Sequence, residues 1–364
     1  MNTDLAGSPP PSVTPRPARR PGAATGSDFA ELSRRMAGEG LLDRRPLYYT
    51  VRFTLVLAAF AGTWYALFAL GDSWLQLGVA AVLSVVLAQI ALVCHDLAHR
   101  QVFSRRAPSE IGGRIAGNLL MGMSYGWWMN KHTRHHANPN HEERDPDVSP
   151  DILVWSKRQA GQAGGLARFV GRRQAYLFFP LLLLEGVNLK YNSFRALAAP
   201  TMKRPILEGA LLVAHFAGYL GAVFTALPPG KAIAFIAVNQ ALLGVYLGCV
   251  FAPNHKGMLM VTPEMNLDFL RRQVLTSRNV RGGRLVDAAM GGLNYQVEHH
   301  LFPSMPTPAL TRAAEITKEF CAEKDIPYCE TGLLHSYREV LRHLHRVGEP
   351  IRERDEGNRR PGRR

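Results

Sequence analysis

Four long apolar stretches, arranged in two pairs with almost nothing between the members of each pair, constrain this chain more than any other feature. The first pair runs from about residue 53 to 70 and from about 74 to 94, joined only by Gly71-Asp-Ser73. The second runs from about 206 to 227 and from about 231 to 253, around Pro228-Pro-Gly230. At 1.5 Å per residue each is long enough, as a helix, to cross about 30 Å of hydrocarbon. The pattern predicts two transmembrane hairpins.

Charge gives the hairpins a direction. Arg44, Arg45 and Arg52 precede the first hairpin and Arg100, Arg105 and Arg106 follow it, whereas its connector carries Asp72 and no cation. The positive-inside rule puts both hairpin ends, the termini and whatever lies beside them on the cytoplasmic side of an inner membrane. The chain holds 43 Lys+Arg against 29 Asp+Glu, a net charge of +14, which suggests an anionic lipid surface or nucleic acid. No nucleic-acid module stands in the sequence, so membrane lipid is the expected partner and nucleic acid is not. Phosphate-loop and dinucleotide fingerprints are absent too. The four cysteines show no metal or disulfide spacing. Residues 1–28 are rich in Pro, Gly, Ser and Ala with no apolar core of a signal peptide, and 347–364 are strongly basic; both are expected to be disordered tails. The membrane domain is expected over 29–346.

Within it, histidines recur at helical spacing. His95 and His99 stand at i, i+4; His132, His135 and His136 at i, i+3, i+4; and Gln296, His299 and His300 repeat that triple. Such spacing places side chains on one helix face. These elements hold seven of 13 histidines. A lone pair of this kind is usually packing, but three elements exceed the four ligands of one zinc, and two metal ions suit the count better. His255 falls just past the fourth apolar stretch, at the depth His95 has past the second, and is an additional candidate ligand with Asn254 beside it. Asp145 and Asp147 are candidate acceptors for ligand imidazoles, as is Glu298, which is expected to point away from the metals. His141 lies in a loop outside the helical pattern and is read as a packing residue. If the two triples serve one site, an even number of crossings separates them. The shorter apolar run at about 175–187 therefore lies in the interface, like the aromatic-rich 110–130, and does not cross.

The three elements, His95-Asp-Leu-Ala-His99, His132-Thr-Arg-His-His136 and Gln296-Val-Glu-His-His300, resemble the histidine boxes of membrane-bound fatty acid desaturases. The resemblance runs from about residue 45 to 340. Gly291-Gly-Leu-Asn-Tyr-Gln-Val-Glu-His-His-Leu-Phe-Pro303 with Asn254-His-Lys-Gly257 is similar to bacterial, particularly actinobacterial, acyl-CoA and acyl-lipid desaturases. It implies an all-α integral membrane fold of four spans, with interfacial helices and a cytoplasmic helical cap around a diiron site. It implies O2 as oxidant and a cis double bond in a long-chain acyl group, with position nine of a saturated chain as the family-level expectation. By carry-over His95, His99, His132, His135, His136, His299 and His300 are iron ligands, with His255 beside them. Gln296, in place of His, resembles the front-end type; its amide binds iron directly, through water, or not at all. The His-Pro-Gly-Gly motif of a fused cytochrome b5 is absent from the sequence, which implies a separate ferredoxin or reductase as donor. Lys256, Arg278 and Arg281 are candidate contacts for that donor or for an acyl-carrier phosphate.

A membrane diiron hydroxylase or ketolase of an alkane or carotenoid uses the same boxes and is the nearest alternative. A membrane metal transporter is more distant, because its ligands belong near the middle of the spans, where this chain has only His215.

Overall fold

The computed structural model describes residues 27–359. In chain order its helices are α1 (Asp28–Gly38), α2 (Pro46–Leu70), α3 (Gln76–Ala98) and α4 (Arg106–Arg114), which runs on into a π-helix (Ile115–Met121), then α5 (Tyr125–Ala137). After a loop come four short helices, α6 (Lys157–Gln162), α7 (Gly165–Gly171), α8 (Gln174–Leu182) and α9 (Glu185–Leu197). The second hairpin is α10 (Pro205–Ala226) and α11 (Pro229–His255). The remainder is α12 (Phe269–Leu275), strand β1 (Asn279–Arg281), α13 (Gly283–Met290), α14 (Gln296–Leu301), α15 (Leu310–Glu323), strand β2 (Glu330–Gly332), α16 (Leu333–Val347) and α17 (Glu349–Arg359). The two strands pair in parallel, Asn279 opposite Glu330. The architecture is all-α.

Among the described residues, four helices are long and apolar enough to cross a membrane: α2, α3, α10 and α11. Each of α2, α10 and α11 opens with a proline in its first turn, where a missing N–H costs nothing. Pro46 lets α2 begin seven residues before the apolar stretch, and the extra turns place Arg52 against Asp96 of α3, Nη1 to Oδ2 2.6 Å. Both hairpins point the same way, because their tips meet: Lys231 Nζ lies 2.8 Å from Asp72 Oδ1. The opposite ends of α3 and α11 carry His95 and His255.

A buried polar cluster locks α3, α10 and α11 together. Asn239 donates to the Ala80 carbonyl (3.1 Å) and to Ser84 Oγ (3.2 Å), and accepts from Tyr219 OH (3.0 Å) and Gln240 Nε2 (2.8 Å). In an apolar bundle each of these groups would be costly unpaired, so the set fixes the register of three helices.

The 175–187 run does not form one helix. It is split between α8 and α9, and the junction presses on α11 through glycines. A Cβ on Gly244 would stand 2.3 Å from the Leu182 carbonyl oxygen, and one on Gly186 2.3 Å from that of Gln240. The 110–130 segment is also broken, into the end of α4, the π-helix and the start of α5. At the C-terminus the expected disordered tail is corrected. Residues 349–359 form α17, anchored by fully buried Ile351 against Val154 and Ala160 and by Asp355, which accepts from Arg168 Nε (3.1 Å) and Arg172 Nη1 (3.2 Å). The expected N-terminal tail, apart from Ser27 and Asp28, lies outside the described residues, as do residues 360–364.

A second core, separate from the bundle, forms the cap. Leu32 and Met36 of α1, Val274 of α12, Val297 and Leu301 of α14, and Phe320 of α15 are buried together. Gly244→Val should lower stability by about 1–3 kcal/mol through overpacking at the α8–α9 junction. Thermal unfolding in detergent checks this, and an unchanged midpoint would mean that the junction does not rest on α11.

Candidate metal centre

Four short helical ends meet under the cap. The last turn of α3 supplies His95 and His99, α5 supplies His132, His135 and His136, the last residue of α11 is His255, and α14 supplies His299 and His300. Gly291 and Gly292 set up the last of these. Both have positive φ (61° and 85°), and a Cβ on Gly291 would lie 2.9 Å from Leu92 Cδ1 and Arg52 Nη2. The chain can therefore turn tightly against α3 before α14 begins.

The eight imidazoles fall into two groups. His95, His99, His132, His136 and His299 bring one ring nitrogen each to within 4.8 Å of one another, and His135, His255 and His300 do the same. Each His-His doublet is divided: His136 and His299 join the group of five, His135 and His300 the group of three. Successive helical residues diverge by about 100°, so one short helix can serve two neighbouring centres. His136 and His300 stack across the divide, ring centroids 4.2 Å apart and 7° from parallel.

The outer nitrogens of the smaller group are held by acceptors. His135 Nδ1 lies 3.0 Å from both Asp145 oxygens, His255 Nδ1 3.0 Å from the Thr276 carbonyl, and His300 Nδ1 3.0 Å from Gln273 Oε1. Gln273 is turned that way because its Nε2 donates to the His136 carbonyl (3.1 Å). These acceptors require the proton on Nδ1 and leave each Nε2 as a bare lone pair facing inward. His135 Nε2 and His255 Nε2 are then 3.3 Å apart with no proton between them, and His300 Nε2 has no partner among the described residues. In the larger group His99 and His132 Nε2 lie 2.7 Å apart, His95 and His299 3.2 Å, and His136 and His299 3.1 Å. The lone pairs of the smaller group, set against one another, fit a cation between them, and the five clustered ring nitrogens of the larger group offer a second such set.

Burial first, and then the neighbouring imidazoles, hold His99, His132, His136, His299 and His300 well below their ordinary 6.5, in the neutral form that binds metal. Burial acts the same way on His135, but Asp145 and Asp147 outweigh it and raise its pKa. Asp145 is itself buried and fixed by the backbone N–H of Asn140 (2.7 Å) and Asp147 (2.9 Å). Asp147 Oδ2 lies 3.5 Å from His135 Nδ1 and its other oxygen 2.8 Å from Lys131 Nζ.

Gln296 stands by the smaller group, its Nε2 2.9 Å from His255 Nε2. Asn254 sets that orientation: its Nδ2 donates to the Val250 (3.2 Å) and Leu293 (3.0 Å) carbonyls and to Gln296 Oε1 (3.1 Å). The amide oxygen therefore faces away from the histidines. Glu298 also points away from them, as expected, but no imidazole reaches it. It accepts from Asn279 Nδ2 (2.6 Å) and Tyr328 OH (3.0 Å) in the cap, and burial raises its pKa to about 7.

Two of the candidate contacts for the donor or an acyl-carrier phosphate have partners inside the protein. Arg278 is 2% exposed, and its guanidinium donates to the Lys256 carbonyl. Lys256 Nζ donates to the Asp147 carbonyl (2.9 Å) and lies 4.1 Å from the Trp155 ring centre. Both cations are engaged inside the protein, whereas Arg281 is exposed. His141 belongs to neither group; its Nδ1 accepts from the Glu143 N–H (3.2 Å). Gln273, Thr276, Asn140 and Trp128, which stacks on His132 at 4.4 Å, belong to the site but carry no motif that would reveal them in sequence.

The family profile described as fatty acid desaturase matches residues 72–332. The chain is similar to the acyl-lipid (9-3)-desaturase of Physcomitrium patens, 29% identical over 337 residues that cover 90% of this chain and 63% of the moss protein. It is also similar to a Delta(5) fatty acid desaturase of Caenorhabditis elegans, 28% identical over 84% of this chain and 70% of the relative. A Delta(8)-fatty-acid desaturase of Helianthus annuus is 28% identical over 83% and 69%.

Asp145→Asn should weaken iron retention about 10–100-fold with the fold intact, as metal analysis after dialysis would read out. Acid should also destabilise the chelated protein. Five imidazoles kept neutral in the fold take up protons on unfolding, so stability is full above about 6.5 and falls as pH drops below it. Denaturant midpoints at pH 7.5 and 5.5 measure this; a higher midpoint at pH 5.5 contradicts it.

Proposed function

This chain belongs to the fatty acid desaturase family, and on that premise we propose that it is an oxidoreductase that introduces a cis double bond into a long-chain acyl group. Two non-haem irons are its cofactors. His95, His99, His132, His136 and His299 would hold one, and His135, His255 and His300 the other. When bound, the irons supply O2 activation and hydrogen abstraction from an unactivated C–H bond. The observation that carries the reading is the convergence of all eight histidines, from four helices, at one end of the bundle. A transporter would need them near the middle of the spans.

The chain's own residues prepare that chemistry. Asp145, Thr276 and Gln273 hold Nδ1 protons, so three Nε2 lone pairs point inward before any metal arrives. Trp128 covers one face of His132. Gln296 is left outside the ligand set, because its oxygen is turned toward Asn254 and its NH2 group toward His255. The acyl group is carried on CoA or on a lipid. Two of the relatives are named for positions five and eight, and on that ground we place the new double bond on the carboxyl side of position nine.

Electrons come from a separate ferredoxin or reductase, for which exposed Arg281 and Arg284 offer a basic face. The protein sits in the inner membrane with both termini and the histidines on the cytoplasmic side. The arginines at 44, 45, 100, 105 and 106 support that orientation.

Mass spectrometry of fatty acids from cells with and without the protein, with double-bond localisation, tests the proposal. A new alkene is expected. His135→Ala and His300→Ala should each abolish it while membrane insertion is retained. A hydroxylated product without an alkene, or full activity in either variant, contradicts the assignment.

A further inference from the structure

Away from the histidines, a pocket of about 370 Å³ opens between the start of α4 and the start of α10, lined by Arg106, Ala107, Glu110, Arg114, Lys203 and Arg204. Four cations face it. Glu110 is the one anion in its wall, and Glu208 lies behind Arg114 (Nε to Oε1 3.2 Å), so the surroundings keep an excess of two positive charges. The buried Arg114, 8% exposed, spends Nε on Glu208 and Nη1 on Glu110, and its Nη2 has no partner among the described residues. Lys203 and Arg204 are exposed and form no ion pair among the described residues. Both helices begin at the pocket without a side-chain cap, which adds the positive ends of their dipoles. A fork of guanidinium nitrogens, an ammonium and free helix ends together match a tetrahedral oxyanion.

The surroundings identify which oxyanion. α10 is a membrane span, and beside the pocket its Ile206 is 88% and Leu207 41% exposed. On the α4 side Ile111 is 60% and Ile115 45% exposed. Apolar side chains turned outward next to a cationic pocket, at the end of a span, suit acyl chains running beside a headgroup. We propose that this pocket binds the phosphate group of a membrane glycerophospholipid. None of its lining residues belongs to the histidine groups, so the site stands whether or not the proposed reaction does.

Native mass spectrometry of the full chain in neutral detergent tests the site, with dioleoyl phosphatidylglycerol, dioleoylglycerol and coenzyme A as probes. Two single variants are used. Lys203→Glu lies at an exposed position. Arg204→Gly suits its backbone, because Arg204 has a φ of 63°, which glycine adopts freely. Phosphatidylglycerol should be retained and dioleoylglycerol should not. Each variant should weaken that retention about tenfold, the scale of one charge-assisted contact, while Arg195→Ala, at an exposed position on α9, leaves it unchanged. Equal retention by the parent and both variants would overturn the proposal. So would equal retention of dioleoylglycerol, or variants that weaken coenzyme A binding and leave phosphatidylglycerol untouched.

Discussion

The structure depends on one electrostatic arrangement: imidazole nitrogens from four helices turned toward one another in a buried volume. In the smaller group the Nε2 lone pairs face one another with only the Gln296 amide donating to one of them, so their mutual approach is unfavourable until a cation stands among them. Everything near them serves to enforce that approach. The polar cluster around Asn239 fixes α11 against α3, so that His255 and His95 leave the bundle at the same end. The cap core clamps α14 over them. Asp145, Thr276 and Gln273 dictate which nitrogen of His135, His255 and His300 carries its proton.

The divided doublets explain why the histidines come in adjacent pairs. A helix supplying one centre needs i, i+3 or i, i+4 spacing alone. Adding a neighbour sends a second ring about 100° around the axis and toward a second centre. α5 and α14 both do this, and the stacked His136 and His300 rings form the shared wall. The five-and-three division leaves the smaller group with room for ligands other than histidine, and Gln296 stands at its edge with its donor side inward.

Much of this was legible in the sequence. Apolar length gave the four spans, spacing gave seven histidines of the two groups, and position at the end of the fourth stretch gave His255. The single-face reading of each triple was too simple, because it overlooked the divergence of adjacent residues. The remaining misreadings have a common cause, which is that local sequence says nothing about partners far along the chain. Arg278 and Lys256 were read as contacts for an electron donor or an acyl-carrier phosphate. The backbone carbonyl of Lys256 and the ring of Trp155 engage them instead. The tail around Ile351 is so highly charged that it reads as disordered, but its helix is held by Arg168 and Arg172, nearly two hundred residues earlier. Glu298 pairs with Tyr328 and Asn279 across the cap, and no spacing rule could have paired them.

The central claim, that the two histidine groups each hold an iron, is tested most directly by counting metal. Protein purified from iron-replete cells and analysed by elemental mass spectrometry together with Mössbauer spectroscopy should contain two non-haem irons per chain. One iron per chain, or zinc in both positions of an active preparation, would contradict the account.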